Sequence, residues 1–324
     1  MARTIDELRS TIPEKIEYIV NPHLLSGGDL MLLQGDTDTG KTWLCQQIAF
    51  EISSGRRLLG LFPVQRSRVI YLDLEERGPE LVKRFMREDW AKEYPEVSGD
   101  WLIYHNESEI MIDSKVGLDA LTQMIFKYNP RVIIMDSFAV AQTNESDQVC
   151  LKKAMKGIKT LARKYKVAFI MVQHAIKPIT AYDQKKSSFV QTRMTLDRSR
   201  GTSFLGYSID SGIALEKDGQ YNRKISFTKH SFSKIPFKDL ESFKFEHDPD
   251  KPIPYYSKYR DVMNLVDIGV NTLSKLENIL GIGSRHTTLD MIDELVKYQL
   301  LSKIVGRGRG NETIIEPLWM AFND

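Results

Sequence analysis

The sequence predicts an α/β fold: a mostly parallel sheet with helices on both faces, followed by a small helical domain that ends in a β-hairpin. Two observations predict the sheet. Short apolar runs, Leu30-Met31-Leu32-Leu33, Val69-Ile70-Tyr71-Leu72, Val132-Ile133-Ile134-Met135 and Val167-Ala168-Phe169-Ile170, alternate with stretches of helical periodicity. Strands buried on both faces read as continuous apolar runs, and their alternation with helices is the order of β-α-β units. A third observation, the proline-rich break Asp248-Pro249-Asp250-Lys251-Pro252-Ile253-Pro254, sets the C-terminal residues apart. Residues 1–238 are therefore expected to form the α/β domain, 239–256 a linker and 257–324 the small domain.

The first apolar run leads into Gly35-Asp36-Thr37-Asp38-Thr39-Gly40-Lys41-Thr42, which reads G-x-x-x-x-G-K-T. From Trp43 to Ile52 the chain continues as a helix, with Leu44, Ile48 and Ile52 at four-residue spacing. A loop of this pattern between a strand and a helix N-terminus is a P-loop. Its backbone N–H groups converge on one concavity, the helix dipole adds partial positive charge, and the two glycines permit the close approach that phosphates need. Lys41 is expected to reach the β/γ-phosphates of ATP, and the Thr42 hydroxyl to ligate Mg²⁺. Gly35 to Thr42, with Trp43 beside them, form the candidate nucleotide-binding set. Asp36 and Asp38 are unexpected there, because they place negative charge near phosphates.

Before the P-loop, Ile16 to Val20 form a short segment against the first strand, and Asn21-Pro22 and Ser26-Gly27-Gly28-Asp29 are turns. Beyond it, Arg68 to Glu75 form a buried strand ending in acids, Pro79 to Trp90 an amphipathic helix, and Trp101 to Tyr104 a strand. Leu118 to Tyr128 is a helix, with apolar residues at 118, 121, 125 and 128, that delivers the chain into Arg131 to Ser137. A further helix, Gln148 to Tyr165, carries a basic outer face, which is ordinarily a solvated surface. The strand Val167 to Val172 is followed by Gln173-His174, then by a long polar segment, 178–200, with Lys185, Lys186, Arg193, Arg198 and Arg200. A loop of that length inside a compact domain is usually functional. Ser208 to Glu216 and Lys224 to Lys229 complete the sheet.

An ATP-hydrolysing site needs a carboxylate for the Mg²⁺ shell and another to orient or deprotonate the attacking water. Asp136, ending an apolar strand, is the first candidate. Ser137 comes after it where AAA+ ATPases carry their water-activating glutamate, so the second candidate is Glu75, one strand over.

Together these segments resemble the RecA-like ATPases, and within them the RepA-like branch of small hexameric replicative helicases and related phage and plasmid ATPases. The resemblance covers roughly residues 13–230. It rests on Ser26-Gly27-Gly28, the P-loop, Ala49 to Arg56, Tyr71-Leu72-Asp73-Leu74-Glu75, Ile133 to Ser137, Val172-Gln173-His174 and Arg200-Gly201-Thr202-Ser203, in that order. It implies that Glu75 is the catalytic base, that Asp136 supports Mg²⁺, and that Gln173 and His174 sense the γ-phosphate. It also implies that segment 178–200 lines a central channel and grips single-stranded DNA, with Lys185, Lys186 and Arg193 on phosphates. Arg200 stands where an arginine finger would enter a neighbouring subunit's site, with Lys177, Arg193 and Arg198 as competitors. The resemblance further implies a homo-oligomer, a hexameric ring.

The small domain reads as three helices, about Lys258 to Val266, Leu273 to Leu280 and Thr287 to Tyr298, then two β segments around Gly306-Arg307-Gly308-Arg309-Gly310. That is the order of a winged helix-turn-helix. Arg285 at the start of the third helix, and Arg307 and Arg309 at the wing tip, are its candidate contacts to duplex DNA. Its balance of acids and bases leaves a protein-contact role open as the alternative.

Across all 324 residues the formal net charge is +2, so any nucleic-acid affinity must be local. Two cysteines make no disulfide framework, and the N-terminus has the wrong charges for a signal peptide. No apolar run is long enough to span a membrane, so a cytoplasmic protein with no membrane partner is expected. The leading functional expectation is an ATP-dependent, ring-forming motor on single-stranded DNA. An ATP-gated DNA-binding regulator or loader, and a recombinase-like filament ATPase, are the alternatives.

Overall fold

A computed structural model describes residues 4–5, 17–20, 24–75, 79–106, 110–144, 147–175, 180–183, 188–191, 205, 208–219, 222–230, 243–247, 255–256, 259–281, 285–297, 300–305 and 312–318. Its centre is a sheet of nine strands, with β1 (Tyr18–Val20) and β2 (Leu25–Ser26) pairing separately. Six strands of the sheet are parallel: β3 (Leu30–Gly35), β4 (Val69–Asp73), β5 (Leu102–Asn106), β6 (Val132–Asp136), β7 (Ala168–His174) and β10 (Ser211–Lys217). They lie in the order β10-β3-β7-β6-β4-β5. Because β7 separates β3 from β6, the P-loop strand and the strand carrying Asp136 are not neighbours. The chain leaves β3, passes over β7 and β6, and returns to them later. Such reversals open a crevice at the carboxyl ends of the strands.

The apolar runs hide a period of two. Met31, Leu33, Val69, Tyr71, Val132, Ile134, Ile170 and Val172 share one face and one buried cluster with α1 (Lys41–Ser54). Leu30, Leu32, Ile70, Leu72, Ile133, Met135, Phe169 and Met171 face the other way. There they pack with α4 (Lys115–Tyr128) and α5 (Gln148–Tyr165), whose first turns are capped by Ser114 and Asp147. Between α1 and α4 in the chain lie α2 (Pro79–Phe85) and α3 (Glu88–Glu93), two short helices where one was expected; Arg87 at the break has an extended backbone.

On the far side of β10 the pairing turns antiparallel, through β11 (Asn222–His230), β12 (Phe243–His247) and β13 (Tyr255–Tyr256). The last two lie inside the stretch expected to be a linker. Phe243 and Phe245 alternate with Lys244 and Glu246 in the period of a half-buried strand, and the prolines 249, 252 and 254 fall between the two strands rather than within either. β8 (Thr180–Asp183) and β9 (Ser188–Gln191) form a separate antiparallel pair within the long basic segment.

The C-terminal residues form α6 (Arg260–Asp267), α7 (Leu273–Leu280) and α8 (Arg285–Lys297), then the hairpin of β14 (Leu301–Val305) and β15 (Thr313–Pro317). This unit is packed against the α/β core. Tyr259, Val262, Met263 and Val266 belong to the same buried cluster as Leu58, Leu59, Leu61 and Phe62. A Cβ on Gly60 would lie 2.7 Å from Cγ of Arg260, so only glycine fits at that crossing. Arg57, 6% exposed at its side chain, donates from Nε and Nη2 to the Asp267 carboxylate, and from Nη1 to the Leu61 carbonyl. Arg260 donates to Glu93 at 2.8 Å.

Candidate nucleotide site

The sheet's carboxyl edge gathers the site. β3 ends at Gly35, where a Cβ would lie 2.7 Å from the Leu215 carbonyl and 2.8 Å from the Thr39 hydroxyl. The loop then turns through two left-handed positions, Asp38 at φ 58° and Gly40 at φ 92°, and enters α1 at Lys41. Asp38 is exposed and Asp36 half-buried. Aspartate tolerates the left-handed region better than most residues, which accounts for Asp38: it serves the turn, with its charge in solvent. Thr37 is exposed as well, whereas Thr39, Lys41 and Thr42 are buried. The Thr39 hydroxyl donates to the Asp36 carbonyl at 2.9 Å. The Lys41 ammonium donates to the Gly35 and Asp36 carbonyls at 3.0 and 2.7 Å, which holds it at the concavity. Trp43, half-buried, is covered by the Arg84 and Arg87 guanidinium groups at 4.9 and 5.7 Å from its ring.

The other predicted residues converge from three strands. Parallel pairing sets Gln34 beside Gln173 and Gly35 beside His174. Glu75 lies two residues beyond β4, and its Oε1 is 3.6 Å from Nε2 of His174. That is contact, beyond ordinary hydrogen-bond length. Asp136 ends β6; its Oδ2 accepts from the Tyr71 hydroxyl at 2.7 Å, and its carbonyl accepts from the Leu74 amide at 2.9 Å. Thus Glu75, Asp136, Gln173, His174 and the P-loop share one edge. Lys185, Lys186, Arg193, Arg200, Arg307 and Arg309 lie outside the described residues, and Arg285 begins α8.

Three contributors escape a reading of the sequence. Tyr71 and Tyr104 are the phenol donors to Asp136 and Asp73. Tyr71 at least shows a signal: period two in β4 places it on the face of Asp73, whose partner across β6 is Asp136. Arg223 has none. It is 5% exposed on β11, and its Nε donates to the Thr39 carbonyl at 2.8 Å, which pins the loop and sets a second cation beside it. Arg223→Ala should leave that carbonyl unsatisfied and weaken ADP binding about tenfold, the worth of one charge-assisted bond. Equilibrium titration with a fluorescent ADP analogue checks this, and an unchanged Kd would show that the loop holds its shape without Arg223.

The donor set fits ATP and Mg²⁺. The loop has the glycine that a phosphate cradle demands, the buried lysine, a buried threonine hydroxyl in the first helical turn, and a buried aspartate opposite. Fold and site together define a RecA-like P-loop ATPase. The chain belongs to the AAA domain family AAA_25, which matches residues 1–178. No curated protein matches it significantly. Among solved structures it is similar to the ATPase domain of G40P, with a TM-score of 0.54 at 15% identity, over 78% of this chain and 95% of that one. It is also similar to the RadB recombinase, with a TM-score of 0.48 at 18% identity, over 72% and 91% of the two chains. For the KaiC-like protein PH0186 of Pyrococcus horikoshii OT3 the TM-score is 0.47 at 16% identity, over 75% and 100%. At 15% identity the likeness to the G40P domain is one of fold alone. Among the described residues no helix is long and apolar enough to cross a membrane.

Proposed function

We propose that the chain is an ATP-driven motor that assembles as a hexameric ring around single-stranded DNA and acts as a replicative-type helicase in the cytoplasm. The observation that carries this reading is the contact between Glu75 and His174 beside the P-loop. Glu75 is the base that orients and deprotonates the attacking water, and the imidazole touching it belongs to the strand that leads directly into the basic segment 178–200. A change at the phosphate end of β7 is therefore transmitted to the residues proposed to hold DNA. Lys41 and Thr42 would hold the triphosphate and its Mg²⁺, Asp136 would support the metal, and Gln173 would read the γ-phosphate. Mg²⁺ would supply charge neutralisation on the phosphoryl oxygens. Lys185, Lys186 and Arg193 supply sequence-independent phosphate contacts, and Arg200 completes the neighbouring subunit's site.

The three C-terminal helices and the hairpin are read as a winged helix, with Arg285, Arg307 and Arg309 toward duplex DNA. A regulator or loader gated by ATP has one observation in its favour: the C-terminal unit is fixed to the core by Arg57, Asp267 and a shared apolar cluster rather than tethered to it. One experiment separates the readings. The purified protein is assayed for ATP turnover with and without single-stranded DNA, and for strand separation on a forked duplex. Turnover stimulated severalfold by DNA, with strand separation, is expected of the motor. Slow turnover indifferent to DNA, without strand separation, would refute the helicase reading and leave the regulator.

A further inference from the structure

β4 and β6 are neighbours in register, and the last pair in that register is Asp73 with Asp136. In-register residues of a parallel pair lie about 5 Å apart and emerge on the same face. The face is that of Tyr71, in the cluster shared with α1, and α1 packs across β4, β5 and β6. Both carboxylates therefore lie under the helix whose first turn carries Thr42. Their outer oxygens are held alike, Oδ2 of Asp136 by the Tyr71 hydroxyl and Oδ2 of Asp73 by the Tyr104 hydroxyl at 2.8 Å. The two tyrosines are themselves cross-strand partners with rings stacked at 6.3 Å. Burial, and then the bond to Asp73, raise the Tyr104 phenol above its ordinary pKa, so it remains a donor.

Asp73 is fully buried, and its other oxygen, Oδ1, has no hydrogen-bond partner among the described residues. An unsatisfied buried carboxylate oxygen is costly. Asparagine would accept the same bond from Tyr104 without the charge, so neither the fold nor the packing calls for an acid here. A hydrated divalent cation does. Among the described residues no group of three or more metal-ligating side chains is found, which excludes a closed protein cage there. Mg²⁺ needs none, being held through one or two carboxylates, retained waters and substrate phosphates.

We infer that Asp73 is the second carboxylate of the metal shell. Its Oδ1 would accept from water on the cation that arrives with the nucleotide, with Asp136 and the Thr42 hydroxyl as the other groups that would hold it. The inference rests on the reading that the P-loop takes Mg·ATP. Outer-shell partners of this kind change metal affinity about 10–100-fold.

The test uses the full chain with ADP and Mn²⁺ as the probe, following free Mn²⁺ by electron paramagnetic resonance. Asp73→Asn should weaken Mn²⁺ binding to the ADP complex at least about tenfold while metal-free ADP affinity stays at the wild-type value. Without metal the variant should melt no lower than wild type, since the orphaned charge is gone. Unchanged Mn²⁺ affinity would overturn the inference. So would a variant that fails to fold, because Asp73 would then be a structural residue. A wild-type protein that binds no ADP, with or without Mn²⁺, would refute the P-loop reading itself.

Discussion

Glu75→Gln is expected to bind ATP as tightly as the wild-type protein and to turn it over about a thousandfold more slowly, within the range for loss of a general base. The carboxylate is held at the end of β4 with one oxygen 3.6 Å from the His174 ring, and its side chain is only 22% exposed. Glutamine keeps that shape and volume but accepts no proton, so binding and chemistry should separate cleanly. Lys41→Ala should behave differently. It removes the ammonium held inside the concavity by the Gly35 and Asp36 carbonyls, and should reduce both affinity and turnover. Paired measurements of ATP binding by filter retention and of phosphate release distinguish the two. Undiminished phosphate release from Glu75→Gln would remove Glu75 as the base and move that role to another group at the same edge.

These expectations differ in how far the sequence alone supports them. The P-loop is legible because its constraints are local. Gly35 has no room for a Cβ, Gly40 is left-handed, and both are written as glycine in a fixed pattern. Asp136 is legible because an acid ending an apolar run is conspicuous. Asp36 and Asp38 read as a conflict of charge until the backbone shows that Asp38 occupies a left-handed turn in solvent. Contacts made by topology are not legible. Arg223 reaches Thr39 from a strand far along the chain, and nothing in Asn222-Arg223-Lys224 distinguishes that arginine from its basic neighbour. The strands β12 and β13 are obscured by prolines that in fact separate them. The same local weighting hides the seam between core and C-terminal unit, because Arg57 and Asp267 read separately as surface charges but meet as a largely buried pair.

That seam adjoins α1 itself, through a group that should make stability depend on pH. Glu51 lies near the carboxyl end of the helix, 3% exposed, with Oε1 bonded to the Gln47 amide at 2.9 Å and Oε2 to the Leu59 amide at 2.8 Å. Burial, opposed in part by those bonds and by Arg260, pushes its carboxyl from an ordinary value of 4.5 up to about 8. Between those two values the folded chain keeps a proton that the unfolded chain has released. The folded state then binds more protons, so its stability is greatest below the lower value, falls as pH rises through the window, and levels off above the upper one. Glu51→Gln removes the titration and keeps the shape, with the Gln47 amide free to turn and match it. At pH 5 the variant should melt within a degree or two of wild type, by the usual scaling for a domain of this size. At pH 8.5 it should be more stable by about 4 kcal/mol, or roughly 10 °C in melting temperature. Thermal unfolding followed by circular dichroism across this range reads the difference directly. Parallel curves for the two proteins would mean that Glu51 is ionised in the folded state, held by Arg260 strongly enough to offset its burial.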